Sequence, residues 1–348
     1  MAVIRSIIEM KGADHGQVRA TLRHLKDSED IPYARIGLAE KDGEAVELSI
    51  EYPLNVFDRS VSQFVAVLFG EIALMKDFGN LQFIGLELPE EVYGWFGGPA
   101  YGVDEILTRF HVDEFPMLVG IIKPSLGPSL DVATIDRKLR EVLSGGIHGV
   151  KDDEMQGDLP FARLSERINL AEKYGRYIPT LNLDDADSYL GILMNEKIGM
   201  ALLNASIIGF PMLRTLRMMT RIPLLSHVAM QGTYLDSFCP KVFAQLHRLF
   251  GCDAFITPIG DVGYYRIDKG QEQDMVHEFV KELPIRKTLP LLTGGARLRN
   301  LREVMTPYQA FDIPYGIVFG TQIFGSDEGP AEMARVVVEK VAEIKAQG

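Results

Sequence analysis

Hydrophobic and polar positions follow two different patterns along the chain, and the pattern changes near residue 113. Before that point, three segments show the apolar–polar alternation of strands, and one shows the apolar spacing of a helix. The strands are VIRSIIEM (3–10), AVELSIEYP (45–53) and NLQFIGLEL (80–88), and the helix is SVSQFVAVLFGEIALM (60–75). The pattern predicts a small α+β domain over residues 1–113, with helices packed on one sheet.

From residue 117 onward, short apolar runs alternate with amphipathic segments. MLVGIIK (117–123) is apolar up to its lysine, as expected of a strand buried on both faces, and DVATIDRKLREVL (131–143) has an apolar helical face. Further strands are predicted near 147–151, 179–183, 200–206, 223–227, 253–258, 288–295 and 316–320. Eight strands that alternate with helical segments predict a closed (β/α)₈ barrel over residues 114–348.

Composition and charge narrow the classes of partner. The formal net charge of the 348 residues is -12, which argues against nucleic acid or an anionic membrane as a partner. Cys239 and Cys252 lack metal-ligand spacing, which favours reduced thiols in a cytoplasmic protein. No apolar stretch reaches the roughly 18 residues of a membrane span. We therefore expect a soluble cytoplasmic protein whose partner is a small molecule.

Polar residues and glycines end most of the predicted barrel strands. Active sites of this architecture lie at the C-terminal ends of the strands, so these residues are expected to meet at one rim. In chain order they are Lys123, the run Lys151-Asp152-Asp153-Glu154, Asn182, Asn204, His227, Thr293, Gly294, Gly295, Gly320 and Thr321.

The run KDDE (151–154) ends the second barrel strand. Three acids in sequence at the end of an apolar strand are costly to gather unless their charge is neutralised. Strand alternation directs Lys151 and Asp153 to one face, with Glu154 within reach from the next turn. Such oxygen ligands suit Mg²⁺. The alternative is a solvated charge run at the start of a helix.

The other polar strand ends allow two readings each. Lys123 could transfer protons, or it could extend from the rim and pair with an acid. His227 could bind a substrate oxygen, or it could be hydrogen-bonded within the core. Asn182 and Asn204 could be substrate ligands or caps of the barrel end. The segments TGG (293–295) and FGT (319–321) could hold a phosphate or carboxylate through backbone N–H groups, or could turn the chain.

The motifs GIIKPSLG (120–127) and GGIHGVKDDE (145–154) resemble the large subunit of RuBisCO and, more closely, the RuBisCO-like proteins that do not fix carbon. EYPLNVF (51–57), SHVAM (226–230), TGG and the FG…GP segment near the end resemble that family in order and spacing.

The resemblance implies a fold, a cofactor and an assembly. The fold is a ferredoxin-like α+β domain before the barrel, and the assembly is a homodimer with shared active sites. Lys151 would carry a CO₂-derived carbamate and bind Mg²⁺ together with Asp153 and Glu154. Lys123 would move protons around an enolate, and His227 would bind the substrate.

Several positions depart from the carboxylases of the family. Ser125, Val228 and Ile256 stand where the resemblance would place a lysine, an arginine and a histidine, and Tyr264 stands at the lysine of the sixth loop. Glu71 replaces an expected asparagine, and we expect the segment that lends an acid, a threonine and a tryptophan to the neighbouring subunit to be missing, because Trp95 is the single tryptophan. Without these basic residues, the chain lacks the charge that would stabilise an added carboxylate, and it lacks one of the two phosphate-binding sites for a bisphosphate.

We therefore expect enolate or enediolate formation on a monophosphorylated keto sugar or sugar acid, rather than CO₂ fixation. Decarboxylation and tautomerisation are both open outcomes. The alternatives are the 2,3-diketo-5-methylthiopentyl-1-phosphate enolase of methionine salvage, a Schiff-base aldolase that uses Lys123 or Lys151, and a non-catalytic binding protein. The acids beside Lys151 disfavour the aldolase, because they raise the pKa of a lysine that must be neutral.

Overall fold

The computed structural model describes residues 2–12, 14–27, 34–41, 45–70, 72, 75, 78 and 80–347. Within these residues two sheets are formed, one with four antiparallel strands and one with nine parallel strands. The expectation about Glu71 lies outside the described residues.

The four-stranded sheet has the order β2-β3-β1-β4. Its elements are β1 (Val3–Lys11), α1 (His15–Asp27), β2 (Arg35–Lys41), β3 (Ala45–Pro53), α2 (Val61–Phe69) and β4 (Asn80–Glu87), with a 3₁₀ turn at Leu54–Val56. This βαββαβ succession with β1 and β3 at the centre is the ferredoxin-like arrangement. Alternate residues of β1 and β3 are buried, so the predicted strand alternation is confirmed.

Two short helices, α3 (Glu90–Phe96) and α4 (Val103–Arg109), lead to the parallel strands. These strands are β5 (Met117–Ile121), β6 (Gly149–Lys151), β7 (Tyr177–Ile178), β8 (Thr180–Leu181), β9 (Ala201–Leu203), β10 (Leu224–Ser226), β11 (Ala254–Pro258), β12 (Leu289–Thr293) and β13 (Gly316–Phe319). The helices between and after them are α5 (Val132–Ser144), α6 (Leu164–Tyr174), α7 (Ala186–Leu193), α8 (Ala205–Ile208), α9 (Phe210–Met219), α10 (Gln231–Tyr234), α11 (Pro240–Leu249), α12 (Lys269–Val280), α13 (Leu301–Gln309), α14 (Thr321–Phe324) and α15 (Pro330–Ala346).

The barrel closes through a strand that is interrupted at Pro179. β7 pairs with β6 and β8 pairs with β9, and only Pro179 separates β7 from β8. A proline has no N–H for the strand ladder, although the carbonyl of Pro179 still accepts from the N–H of Leu202 at 2.9 Å. The nine strands are therefore the eight predicted ones with the third divided in two, and the predicted fold class is confirmed. The boundary between residues 113 and 114 stays a prediction.

The glycine pair after α5 allows the chain to turn and allows the end of α5 to pack closely on α15. Gly146 has a φ of +93°, which favours glycine. A Cβ on Gly145 would lie 2.5 Å from the Cβ of Ala334 in α15. The two helices can therefore approach closely only because Gly145 has no side chain.

No helix among the described residues combines the length and the apolar character needed to cross a bilayer.

Candidate active site at the barrel mouth

The C-terminal ends of the barrel strands bring the predicted polar residues to one mouth. Lys151 is the last residue of β6, and His227 directly follows β10. Asn182 and Asn204 directly follow β8 and β9. Lys123 comes two residues after β5 and reaches Asp153.

Lys151 is fully buried, and its Nζ has no hydrogen-bond partner among the described residues. Burial lowers the pKa of Lys151 to about 8, although Glu154 and Asp153 act in the opposite direction. The amine therefore loses its proton more readily than an ordinary lysine does.

Asp152 points away from Lys151 into the barrel wall. Its carboxylate pairs with Arg167, which is also fully buried, and accepts hydrogen bonds from the hydroxyl of Tyr177 and the N–H of Thr180. The alternation along the strand thus assigns Asp152 to the wall and Asp153 to the mouth. Because Lys151, Asp152 and Asp153 are all buried, the run is not a solvated charge segment.

Asp153 is held by two donors from the loop after β5. Nζ of Lys123 donates to its Oδ2 at 2.6 Å, and Oγ of Ser125 donates to the same oxygen at 2.7 Å. Burial would raise the pKa of Asp153, but the hydrogen bonds from Lys123 and Ser125 outweigh burial and lower it. Ser125 therefore links Lys123 to the acidic cluster, a contact that the sequence did not indicate.

Glu154 lies beside Asp153 and faces His227. Burial, and next the charge of Asp153, raise the pKa of Glu154. Its Oε2 is 3.4 Å from Nε2 of His227, whose Nδ1 accepts from the N–H of Ala229 at 3.0 Å. Burial and then Lys151 lower the pKa of His227 well below its usual value. The imidazole is therefore neutral, with its proton on Nε2, directed at Glu154.

Asn182 and Asn204 hold the turn that carries Glu154. Nδ2 of Asn182 donates to the carbonyls of Glu154 and Gln156 at 2.9 and 3.0 Å. Nδ2 of Asn204 donates to the carbonyl of Glu154 at 3.1 Å and to Oδ1 of Asn182 at 2.7 Å. This arrangement agrees with the reading of the two asparagines as caps of the barrel end, and their role as substrate ligands stays a prediction.

The glycines after β12 are covered by the loop after β11. Gly294 and Gly295 have φ angles of +93° and +135°. A Cβ on Gly294 would lie 2.0 Å from the ring of Tyr265, so ring and backbone are in close contact. Tyr265 is partly buried, whereas the side chain of Tyr264 is 76% exposed. The sequence analysis placed Tyr264 at the lysine of the sixth loop and did not single out Tyr265. In a pair of adjacent tyrosines, the sequence alone does not indicate which ring faces the site.

The remaining predicted anion ligands lie around the same rim. Thr293 is buried, and Thr321 is exposed at the start of α14. A Cβ on Gly320 would lie 3.5 Å from Cε of Lys123, so Gly320 borders Lys123. An anion site formed by these residues stays a prediction.

The residues fit a divalent cation on one condition. Within the described part of the chain, no group of three His, Cys, Asp or Glu side chains is arranged to hold a metal. Asp153 and Glu154 supply two carboxylates, and the third member of the cluster is the unpartnered amine of Lys151. A carboxylate added to that amine would complete an oxygen set of the kind Mg²⁺ prefers.

Comparison with known proteins gives sequence relatives and structural neighbours, although no family model matches the chain. The chain is 27% identical to a ribulose bisphosphate carboxylase of Pyrococcus furiosus, over 92% of the chain and 80% of that protein. It is 24% identical to a 2,3-diketo-5-methylthiopentyl-1-phosphate enolase of Bacillus cytotoxicus, over 71% of the chain and 64% of the enolase. The structure matches a RuBisCO-like protein (MtnW) of Alicyclobacillus acidocaldarius with a TM-score of 0.84 at 19% identity, over 100% of this chain and 95% of the other.

Proposed function

The chain is therefore a relative of RuBisCO and the RuBisCO-like proteins, as its motifs predict, and from this premise we propose that it is a Mg²⁺-dependent enzyme that forms an enolate or enediolate. The substrate class is a keto sugar or sugar acid, monophosphorylated, and the outcome is decarboxylation or tautomerisation rather than CO₂ fixation. The observation that carries the proposal is the buried, unpartnered amine of Lys151 beside the carboxylates of Asp153 and Glu154.

Carbamylation of Lys151 would complete the cation site. The uncharged amine attacks CO₂, a C–N bond forms, one C=O electron pair moves to oxygen, and one proton leaves to solvent. The lowered pKa of about 8 supports this step, because at neutral pH more of the amine is uncharged than it would be at the normal pKa of a lysine. Bound Mg²⁺ would supply a Lewis acid for the ketone oxygen of the substrate.

Lys123 and His227 would handle protons and orientation. The side chain of Lys123 is 30% exposed and its Nζ contacts Asp153, so Nζ would be placed to take a proton from the carbon next to the ketone. Neutral His227 can donate its Nε2 proton to a substrate oxygen. Thr293, Gly294, Gly295, Gly320 and Thr321 would hold the phosphate, with Asn182 and Asn204 at the opposite side of the mouth.

The positions that lack charge favour a substrate without a second phosphate. Val228 is nearly buried and Ile256 is fully buried within β11, so neither can grip an anion. A sugar-acid phosphate and the diketone 1-phosphate of the enolase each carry one phosphate, so both are compatible with these positions, whereas a bisphosphate is not. A cytoplasmic homodimer with shared active sites is part of the same proposal.

The first test replaces Lys151 with alanine. The variant should lose Mg²⁺-dependent deuterium exchange from D₂O into keto sugar acids, because the third cation ligand is gone. NMR of the substrates measures the exchange, and thermal unfolding establishes that the variant is folded. Lys197→Ala, at a surface lysine that is 76% exposed, is the matched control. Full exchange in Lys151→Ala would rule out the carbamate site.

The other two functions predict different results. A Schiff-base aldolase would be trapped on Lys123 or Lys151 by borohydride with substrate and would be insensitive to EDTA. A non-catalytic protein would show neither Mg²⁺ binding nor exchange with any keto sugar acid.

A further inference from the structure

A cavity of about 450 Å³ lies beside the cation site, between the loop after β10 and the loop after β11. It is called the tail pocket below and is lined by residues of the segments 228–236 and 258–267. Val228, at one end of its wall, is the neighbour of His227, which faces Glu154. A molecule bound at the cation site could therefore extend into the tail pocket.

The wall of the tail pocket is mainly apolar. Val228, Leu235, Pro258 and Ile267 line it together with the ring of Tyr265. Val228 and Ile267 are each 8% exposed, so they are fixed parts of the wall rather than mobile surface groups. Such a lining favours a carbon chain over a hydrated ion.

The charged residues of the pocket neutralise each other at its rim. Nη2 of Arg266 lies 3.0 Å from Oδ1 of Asp236, and the two side chains are 70% and 80% exposed. Among the described residues that line the pocket, no other side chain carries a formal charge. An anionic group entering the pocket would lose its hydration and would find only a guanidinium that is already paired.

Gln231 supplies one unsatisfied polar atom in this wall. Its side chain is 4% exposed, and its Oε1 has no hydrogen-bond partner among the described residues. A buried acceptor without a partner is costly, so a ligand that donates to it gains binding energy. A hydroxyl group is such a donor, whereas a carboxylate or phosphate dianion is not.

We propose that the tail pocket selects substrates whose end distant from the phosphate is uncharged, short and hydroxylated, with a hydroxyl donating to Oε1 of Gln231. Val228, Gln231 and Tyr265 are thereby specificity-determining residues. This inference rests on the proposed function, because the ketone must be held at Lys151, Asp153 and Glu154 for the tail to reach the pocket.

Four 2-oxo acids test the inference on the full chain with Mg²⁺ and bicarbonate. Pyruvate is too short to reach the pocket, 2-oxohexanoate has an uncharged tail, 2-oxoadipate has an anionic tail of similar length, and 2-keto-3-deoxygluconate has an uncharged hydroxylated tail. Calorimetry gives their dissociation constants, and NMR gives deuterium exchange next to the ketone. We expect 2-oxohexanoate and 2-keto-3-deoxygluconate to bind at least about tenfold more tightly than 2-oxoadipate, because of the desolvation of the charged tail.

Gly232 offers a way to fill the pocket without disturbing its wall. A Cβ there meets no atom within 4 Å, and its φ is not in the left-handed region. Gly232→Leu should weaken 2-oxohexanoate and 2-keto-3-deoxygluconate by about tenfold and leave pyruvate unchanged. Gly191→Leu, at an exposed position of α7 and with equally open space, is the matched control.

Gln231→Leu separates the hydrogen bond from the apolar contact. It should weaken 2-keto-3-deoxygluconate by about fivefold relative to 2-oxohexanoate, as expected of one neutral hydrogen bond. Thermal unfolding identifies any variant that has not folded, and the four probes on the unaltered chain decide the charge preference without a variant.

The outcomes distinguish a failure of the tail pocket from a failure of the proposed function. If pyruvate binds with Mg²⁺ but 2-oxoadipate equals 2-oxohexanoate, or Gly232→Leu has no effect on the long probes, the tail pocket is overturned and the proposed function stands. If none of the four probes shows Mg²⁺-dependent binding or exchange, the tail pocket is overturned, whereas the proposed function, whose substrate carries a phosphate that these probes lack, is decided by the exchange test on Lys151→Ala.

Discussion

Lys151 and Asp152 are adjacent in the chain and both are buried, but they differ in whether neighbouring groups compensate their charge. Asp152 has its charge compensated by Arg167, Tyr177 and the N–H of Thr180, whereas Lys151 has no partner among the described residues. A fully paired charge stabilises a wall, and an unpaired group with a lowered pKa is a candidate for chemistry. The division of roles follows from the strand geometry, because adjacent side chains point to opposite faces.

Breaking the buried pair should destabilise the barrel strongly. Arg167→Leu would leave the carboxylate of Asp152 buried without its cation, and we expect a loss of about 3–5 kcal/mol in the free energy of unfolding. Urea denaturation measures the loss. Arg221→Leu, which removes a surface partner of Glu196, should cost less than about 1 kcal/mol. Equal effects of the two substitutions would contradict the assignment of Asp152 to the wall.

His247 gives the protein a pH-dependent stability that is independent of the active site. Its ring packs 4.7 Å from that of Phe255, Nδ1 lies 2.9 Å from the carbonyl of Phe243, and burial lowers the pKa of His247 to about 4. Because the unfolded histidine has a pKa near 6.5, the unfolded state binds the extra proton first as the pH falls. Its contribution to stability is therefore present above about pH 6.5 and is lost towards pH 4.

Replacement of His247 by phenylalanine should remove this dependence. Between pH 7 and 5 the unaltered chain should lose about 2 kcal/mol of unfolding free energy through His247, a loss that His247→Phe should not show. Urea denaturation at the two pH values measures the difference. His111→Phe is a control at another histidine, on the turn after α4, and a His247→Phe chain with an unchanged pH dependence would refute the assignment.

At the scale of elements, the site depends on strands that contribute no cation ligand. The turn after β6 is held through its carbonyls by Asn182 after β8 and Asn204 after β9. Since one interrupted strand closes the barrel at Pro179, this hold also joins the two pieces of the sheet near its closure.

Loosening the turn should weaken cation binding before it weakens the fold. Asn204→Ala removes the donor to the Glu154 carbonyl and the contact with Asn182, and we expect about a tenfold loss of Mg²⁺ affinity, typical of residues that orient ligands. Calorimetry in bicarbonate buffer measures the affinity. Asn195→Ala, which removes a surface bond to Glu172, should leave the affinity unchanged. An unaltered affinity in Asn204→Ala would show that Glu154 is positioned without this turn.

The sequence predicted elements that have a strong period and missed those defined by distant contacts. The helix predicted over residues 131–143 lies at Val132–Ser144, and the strand ends were found because buried apolar runs stop at polar residues. Helix α1 and strand β2 were not predicted, although buried Val18 and Leu22 of α1 are spaced as on one helical face. Ser125, Gln231 and Tyr265 could not be selected as site residues, since their roles depend on which loops meet at the mouth.

At the scale of the whole molecule, the small sheet is joined to the segment between α10 and α11 by backbone pairing as well as by packing. The N–H of Phe83 in β4 donates to the carbonyl of Ser237 at 2.8 Å, and the N–H of Cys239 donates back to the carbonyl of Phe83 at 2.9 Å. The buried ring of Phe83 stacks on that of Phe238, with centroids 5.1 Å apart. Nε2 of Gln82 also donates to the carbonyl of Leu235 at 2.8 Å.

Removing the ring of Phe83 should weaken this junction. Phe83→Ala is expected to lower the free energy of unfolding by about 3–5 kcal/mol, as for other large-to-small substitutions in a core. Phe311→Ala, at a ring that is 77% exposed, should change it by less than about 0.5 kcal/mol. Urea denaturation followed by tryptophan fluorescence measures both, since Trp95 lies in the neighbouring helix α3. A Phe83→Ala chain as stable as the parent would mean that the junction contributes little.

The pairing of β4 with the segment 235–239 has a consequence for how such a protein could diversify. Leu235 is held by the edge of the small sheet on one side and borders the tail pocket on the other. Exchanges along that edge strand would shift the wall against which a substrate lies, while the lysine and the carboxylates stay in place. New substrate specificities could then arise from substitutions in a strand that does not contact the reacting atoms.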